Sequence, residues 1–259
     1  MSLALIAGAG RLPATLAAAL EGRDWCAWHL EGFAPDGLAS ESFRVETLGS
    51  LIETLRAGGV TEICFAGRIA RPKLDLAALD TATVPLVPRM MQALGQGDDA
   101  ALRIVIAFFE EAGIEIVAPQ DLAPGLLDVP AVGAPTDRDR ADIARAVAVH
   151  RALAPLDVGQ GCVVAGGQVL AVEAMPGTDW MLESLARVES RPGGGVLYKA
   201  AKAGQDRRID MATVGPDTVT RAAAAGLAGI AVAAGDVLVL DPDALRIRLA
   251  TTGLFLAPA

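Results

Sequence analysis

Four short apolar runs alternate with segments of helix length across the first half of the 259-residue chain, and this alternation restricts the fold more than any other feature. Leu3–Ala7, Trp25–Leu30, Glu62–Ala66 and Ile114–Ala118 read as strands. Leu12–Glu21, Ser50–Gly58 and Asp98–Ala112 read as helices between them, while the stretch after Leu30 reads as a polar loop to Glu41. Pro13 is tolerated in a first helical turn. In the third helix Leu102, Val105, Ile106 and Phe109 recur at helical spacing, with Asp98 as a natural N-cap and Gly113 as a natural C-cap. Strands kept apart by helices cannot pair as hairpins, so they predict a parallel, Rossmann-like sheet with helices on its faces.

Composition shifts after that. Pro119 to Pro135 holds prolines at 119, 124, 130 and 135, and reads as a linker between a domain over 1–134 and a second over 135–259. Asp137–Leu153 then reads as a charged amphipathic helix that places His150 on its polar face. Gly166-Gly167 separates two apolar runs of a hairpin over Cys162–Glu173. A helix from Thr178, a strand Val196–Lys199, a helix Thr218–Ala225 and strands Gly229–Val232 and Asp236–Leu240 complete a mixed α+β domain.

Several function classes fall away on composition. The net charge is 22 − 31 = −9 and aromatic residues make up only 4% of the chain, which disfavours nucleic-acid binding and base stacking. The mean hydropathy of +0.42 raises the question of a membrane span. The longest nearly apolar run, Ala222 to Gly235, is about fourteen residues with glycines inside, short of the ~20 a span requires. Met1-Ser2-Leu3-Ala4 has no basic residue, so no signal peptide is expected. Cys26, Cys64 and Cys162 are odd in number and set in apolar segments, and read as core thiols of a reduced cytoplasm. With two histidines, His29 and His150, any metal would be a hard ion on carboxylates.

The candidate chemistry lies at turns. Gly8, Gly10, Arg11 and Leu12 sit at a strand-to-helix junction, where glycines let backbone N–H groups approach an anion; a plain tight turn is the alternative. Glu31, twenty-one residues after Gly10, stands where a dinucleotide-binding fold keeps its ribose acid, so an NAD-linked oxidoreductase is one reading. Pro13 replaces the third glycine of that fingerprint and argues against it. Gly67 and Arg68 end another strand and could meet a phosphate. In the second half, Glu173, Thr178, Asp179, Lys199, Lys202, Gln205, Asp206, Arg208 and Asp210 set acids beside bases near glycine-rich turns. Carboxylates that hold Mg²⁺ and cations that neutralise phosphoryl oxygens are what metal-assisted attack on a phosphate requires.

The phrases "LALIAGAGRLP" (Leu3–Pro13), "EICFAGRIARP" (Glu62–Pro72), "GQGDDAALR" (Gly95–Arg103), the stretch Leu156–Leu182 with its "AVEA…GTD", Gly193–Val219 with "K…GQD.R.D", and "AGLAGIAVAAG" (Ala225–Gly235) resemble the UDP-2,3-diacylglucosamine pyrophosphatases of the LpxI type, in register over nearly the whole chain. The resemblance implies a cytoplasmic enzyme of lipid A biosynthesis, peripheral to the inner membrane, dimeric and Mg²⁺-dependent. It would split UDP-2,3-diacylglucosamine into UMP and 2,3-diacylglucosamine 1-phosphate (lipid X), with substrate held between two domains. Carried onto this chain, Asp206 and Asp210, with Glu173 or Asp179 and with Asp98 and Asp99 as further candidates, would hold the metal; a non-catalytic glycolipid carrier is a third reading. Lys199, Lys202 and Arg208 would stabilise phosphoryl oxygens; Thr178, Asp179 and Gln205 would contact substrate.

Overall fold

In a computed structural model, residues 2–69, 72–94, 98–202 and 204–259 are described, apart from the side chains of 93, 94 and 98–100. The chain forms two compact units. One comprises the residues up to Pro124 together with Asp206–Asp210; the other comprises Gly125–Gln205 and Met211–Ala259.

The first unit runs β1 (Ser2–Ala7), α1 (Leu12–Ala19), β2 (Trp25–Leu30), β3 (Glu41–Phe43), α2 (Leu48–Ala57), β4 (Val60–Ala66), α3 (Val87–Leu94), α4 (Asp98–Glu111), β5 (Glu115–Ile116) and α5 (Pro119–Leu122). Its sheet has the order β3-β2-β1-β4-β5 and every pairing is parallel. Strand β1 is central and apolar, and Leu3, Ala4, Leu5 and Ala7 are fully buried, as expected for a strand covered on both faces. The order reverses between β1 and β4, and ligands of open parallel sheets sit at the carboxyl ends of strands flanking such a reversal. The edge strand and one helix depart from the sequence reading: residues 41–43 pair with β2 within what reads as polar loop, and α5 lies within the stretch that reads as linker. Helix α3, on which the sequence reading is silent, forms with Pro88 in its first turn.

The second unit contains α6 (Asp137–Leu153), β6 (Gly161–Ala165), β7 (Gln168–Val172), α7 (Gly177–Ala186), β8 (Val196–Lys199), β9 (Ala212–Val214), α8 (Pro216–Ala224), β10 (Gly229–Val232), β11 (Val237–Val239), α9 (Pro242–Thr252) and β12 (Phe255–Pro258). Its main sheet, β12-β10-β8-β6-β7, is parallel from β12 to β8 and antiparallel beyond; β9 and β11 form a separate parallel pair. The hairpin expected around Gly166-Gly167 is β6–β7. Its turn is pinned by the buried Asp142 of α6, whose carboxylate accepts from the Gly166 and Gly167 N–H groups at 2.9 and 2.7 Å. Thr136 and Asp139 cap α6 reciprocally. His150 does not lie on a polar face: it is buried edge-on to Tyr198, with ring centroids 5.6 Å apart, and burial lowers its pKa. The three thiols are free; Cys64 and Cys162 are buried and pushed up to about 12 and about 11, so both stay protonated. Among the described residues no helix is long and apolar enough to cross a membrane.

Candidate active site

At the carboxyl ends of β1 and β4 the two glycine turns are zipped to each other. Gly8 donates to Ala66 O at 2.7 Å, and Ala9 and Arg68 exchange backbone bonds at 2.9 Å in both directions. A Cβ on Gly8 would lie 2.6 Å from Arg68 O, and one on Gly67, whose φ is +94°, would lie 2.6 Å from Gly8 O. Glycine is therefore required here by the approach of one backbone to another. The N–H groups of Gly8 and Ala9 are spent on this contact, so an anion at the turn would meet Gly10, Arg11 and Leu12 at the start of α1, where Pro13 offers no N–H. Glu31, at the end of β2, faces Arg44 at 3.6 Å, and Arg44 also pairs with the buried Glu46 at 3.2 Å. An acid engaged by arginine is poorly placed to accept from a ribose, which weighs against the NAD reading.

Asp206, Arg208 and Asp210 belong to this first unit, although their sequence neighbours belong to the second. Residues 206–210 form one tight turn, with Ile209 and Asp210 N–H both donating to Asp206 O at 3.2 Å. Arg208 wraps onto Asp206: its backbone N–H and Nε donate to Oδ1 at 3.0 Å, and its Nη2 donates to Oδ2 at 2.7 Å. That side-chain bonding holds the Asp206 carboxyl below its ordinary range and raises the Arg208 guanidinium further. Arg208 Nη1 also reaches Glu110 at the end of α4, at 2.7 Å. Gln120 Nε2 of α5 donates to Arg207 O at 3.1 Å, and Ile209 packs against the first unit's apolar core.

In the second unit, Lys199 at the end of β8 and Glu173 just after β7 are both buried. Lys199 Nζ donates to Thr178 Oγ1 at 2.6 Å, Thr178 Oγ1 donates to Glu173 Oε2 at 2.8 Å, and the ammonium lies 3.5 Å from that same oxygen. Gly159 and Gly161 leave the space this trio fills: a Cβ on Gly159 would fall 2.0 Å from Glu173 O, and one on Gly161 would fall 3.0 Å from Glu173 Oε2. Lys202 pairs with Asp157, and its N–H donates to Gln205 Oε1 at 2.9 Å. Asp179, in the first turn of α7, faces Arg221 Nε at 3.2 Å.

The expected metal ligands fall in both units, Asp206 and Asp210 in the first and Glu173 in the second. Among the described residues no three His, Cys, Asp or Glu side chains converge. Asp206 has both oxygens turned to Arg208, and Glu173 has Oε2 turned to Thr178 and Lys199. Asp98 and Asp99 open α4, but their side chains lie outside the described residues. The described carboxylates do not form a site for Mg²⁺ by themselves, since an ion would have to be completed by water and by phosphate oxygens. Glu110, Gln120 and Asp157 are partners that sequence reasoning missed. Glu110 stands 98 positions from Arg208, and no local pattern marks such a pairing.

The architecture defines a two-unit α/β protein whose first unit has the strand order of nucleotide-binding sheets. The family model of the LpxI N-terminal domain matches residues 2–126, and that of the LpxI C-terminal domain matches residues 129–257. The chain is 39% identical to the UDP-2,3-diacylglucosamine pyrophosphatase LpxI of Caulobacter vibrioides, over 98% of its own length and 95% of that protein's. It belongs to the LpxI family.

Proposed function

We propose that the protein hydrolyses the pyrophosphate bond of UDP-2,3-diacylglucosamine in lipid A biosynthesis. Water adds across the P–O–P bridge and yields UMP and 2,3-diacylglucosamine 1-phosphate. The observation that carries this reading is the identity of 39% over nearly the full length of both chains. Its support in the geometry is the 206–210 turn, which holds one carboxylate ionised and keeps a second four residues away. Asp210 is assigned to the reacting groups and Asp206, fixed by Arg208, to their orientation. Gly10, Arg11 and Leu12 at the start of α1, with Arg68 beside them, are assigned to the phosphate end. In the second unit Lys199, Thr178, Lys202, Gln205 and Asp179 are assigned to substrate contact.

Mg²⁺ belongs to the same proposal. Asp210 would hold it together with the substrate's own phosphates, since magnesium commonly sits on one or two carboxylates and keeps its waters. Bound there, the ion would neutralise phosphoryl charge. The proposal also carries a cytoplasmic homodimer at the inner-membrane surface, where a diacyl substrate resides. Light scattering and vesicle co-sedimentation test those two points. For the reaction, the protein is incubated with UDP-2,3-diacylglucosamine and Mg²⁺ and assayed for UMP. Release of UMP that ceases in EDTA and in Asp210→Asn is expected, whereas no UMP under any metal condition refutes the assignment.

A further inference from the structure

We propose that Glu110 is a positioning residue for this reaction: by holding Arg208 it seats the 206–210 turn on α4 and so sets the placement of Asp206 and Asp210. The inference rests on the reading above that this turn carries reacting groups. Arg208 is bonded along one edge to Asp206 and at Nη1 to Glu110, so one guanidinium joins the turn to a helix that precedes it by 98 positions. Arg208 is already bonded to two carboxylates, which makes it a poor clamp for a diphosphate and a good fastener for a turn. A fork with fixed donor directions suits that task, because it fixes orientation as well as distance. Two further anchors are less directional: one hydrogen bond from Gln120 to Arg207 O, and the packing of Ile209. The segment flanking the turn on either side belongs to the second unit, so contacts of this kind are what keep its five residues with the first.

The test uses the full-length protein with Glu110→Ala and the near-isosteric Glu110→Gln. Arg207 and Arg208 are themselves trypsin sites, so native-state cleavage there, read by mass spectrometry, reports release of the turn. Losing a half-exposed ion pair should raise that cleavage roughly fivefold in Glu110→Ala, with Glu110→Gln in between. Because ångström-scale misplacement costs up to about 100-fold in rate, kcat should fall about tenfold while KM stays within about twofold. Unchanged cleavage, or raised cleavage with unchanged kcat, overturns the proposal; so does a fall in kcat without raised cleavage, which would mean Glu110 acts by another route. Asp206→Asn and Asp210→Asn separate the two levels. If both keep full activity, the assignment of the turn to the reaction fails. If Asp210→Asn is inactive and Glu110→Ala behaves as wild type, only the role of Glu110 fails.

Discussion

The two units each hold a cation between oxygen ligands, in opposite environments. In the second, the Lys199 and Glu173 side chains are 6% and 10% exposed, and Thr178 completes their bonding. In the first, Arg208 and Glu110 are 42% and 46% exposed, and only Asp206 is well covered. A buried pair is expensive to desolvate and very costly to break, because removing one partner strands the other. An exposed pair is screened and contributes little to stability. The same residue types therefore differ in what they do for the fold: Lys199, Thr178 and Glu173 are built into it, whatever substrate contact Lys199 and Thr178 also make, and Arg208 is a fastener whose loss the fold can survive.

The comparison breaks most directly at Lys199. Lys199→Ala should destabilise the protein by about 3–5 kcal/mol, read from the midpoint of urea unfolding, since Glu173 is left buried and unpaired. Replacing both, as Lys199→Met with Glu173→Leu, should cost less than either single change. If the single variant lost under about 1 kcal/mol, Lys199 would be energetically indistinguishable from Arg208, and the contrast between the units would be gone.

A second test asks whether the glycine turns serve the fold or only a ligand. Gly67→Ala places a Cβ 2.6 Å from Gly8 O at a φ of +94°. Strain and clash should cost about 2–3 kcal/mol in thermal or urea unfolding without any substrate present. A variant as stable as wild type would show that the zipped backbones of β1 and β4 can part freely, and would return these glycines to ligand binding alone.

How much of this was legible beforehand follows from range. Strands β1, β2 and β4 are apolar runs bounded by turns, and burial on both faces writes that pattern plainly. Strand β3 is not legible, because three residues at a sheet edge with Glu41 exposed have no period to read; β9 is equally short. Helix α9 is legible from its own signals: Asp241 caps Ala244 N–H, Pro242 follows, and Leu245 and Leu249 share its buried face. At the candidate site the residue types were legible and their pairings were not. Thr178 meets Lys199 across 21 positions, and the attachment of 206–210 involves Glu110, Gln120 and the packing of the half-buried Ile209.

Acid separates the two regions without any mutation. The His150 pKa is lowered by burial, so the folded state disfavours its charged form. The unfolded chain then binds the extra proton first, and stability should fall as pH drops below about 6.5. His150→Phe should flatten that arm of the curve. Asp206 is lowered chiefly by Arg208, so its contribution is present above the ordinary carboxylate value and lost only as pH falls through the lower folded one, below about pH 4. Stability curves from pH 8 to 3 for wild type, His150→Phe and Asp206→Asn should resolve the two windows. A single shared transition would contradict the separation.

The smallest effect on stability is expected from Arg208→Lys. The charge is kept, but the fork that bonds Asp206 along one edge and Glu110 at Nη1 is replaced by a compact ammonium. Because the pair is about two-fifths exposed, the loss should not exceed about 1 kcal/mol, and 0.5 M salt should shrink the difference from wild type. UMP release should nevertheless fall by about tenfold, since the turn retains its attachment and loses its fixed orientation. A variant with both unfolding and turnover unchanged would mean that charge alone seats the turn, and the geometric half of the contrast with Lys199 would have to be abandoned.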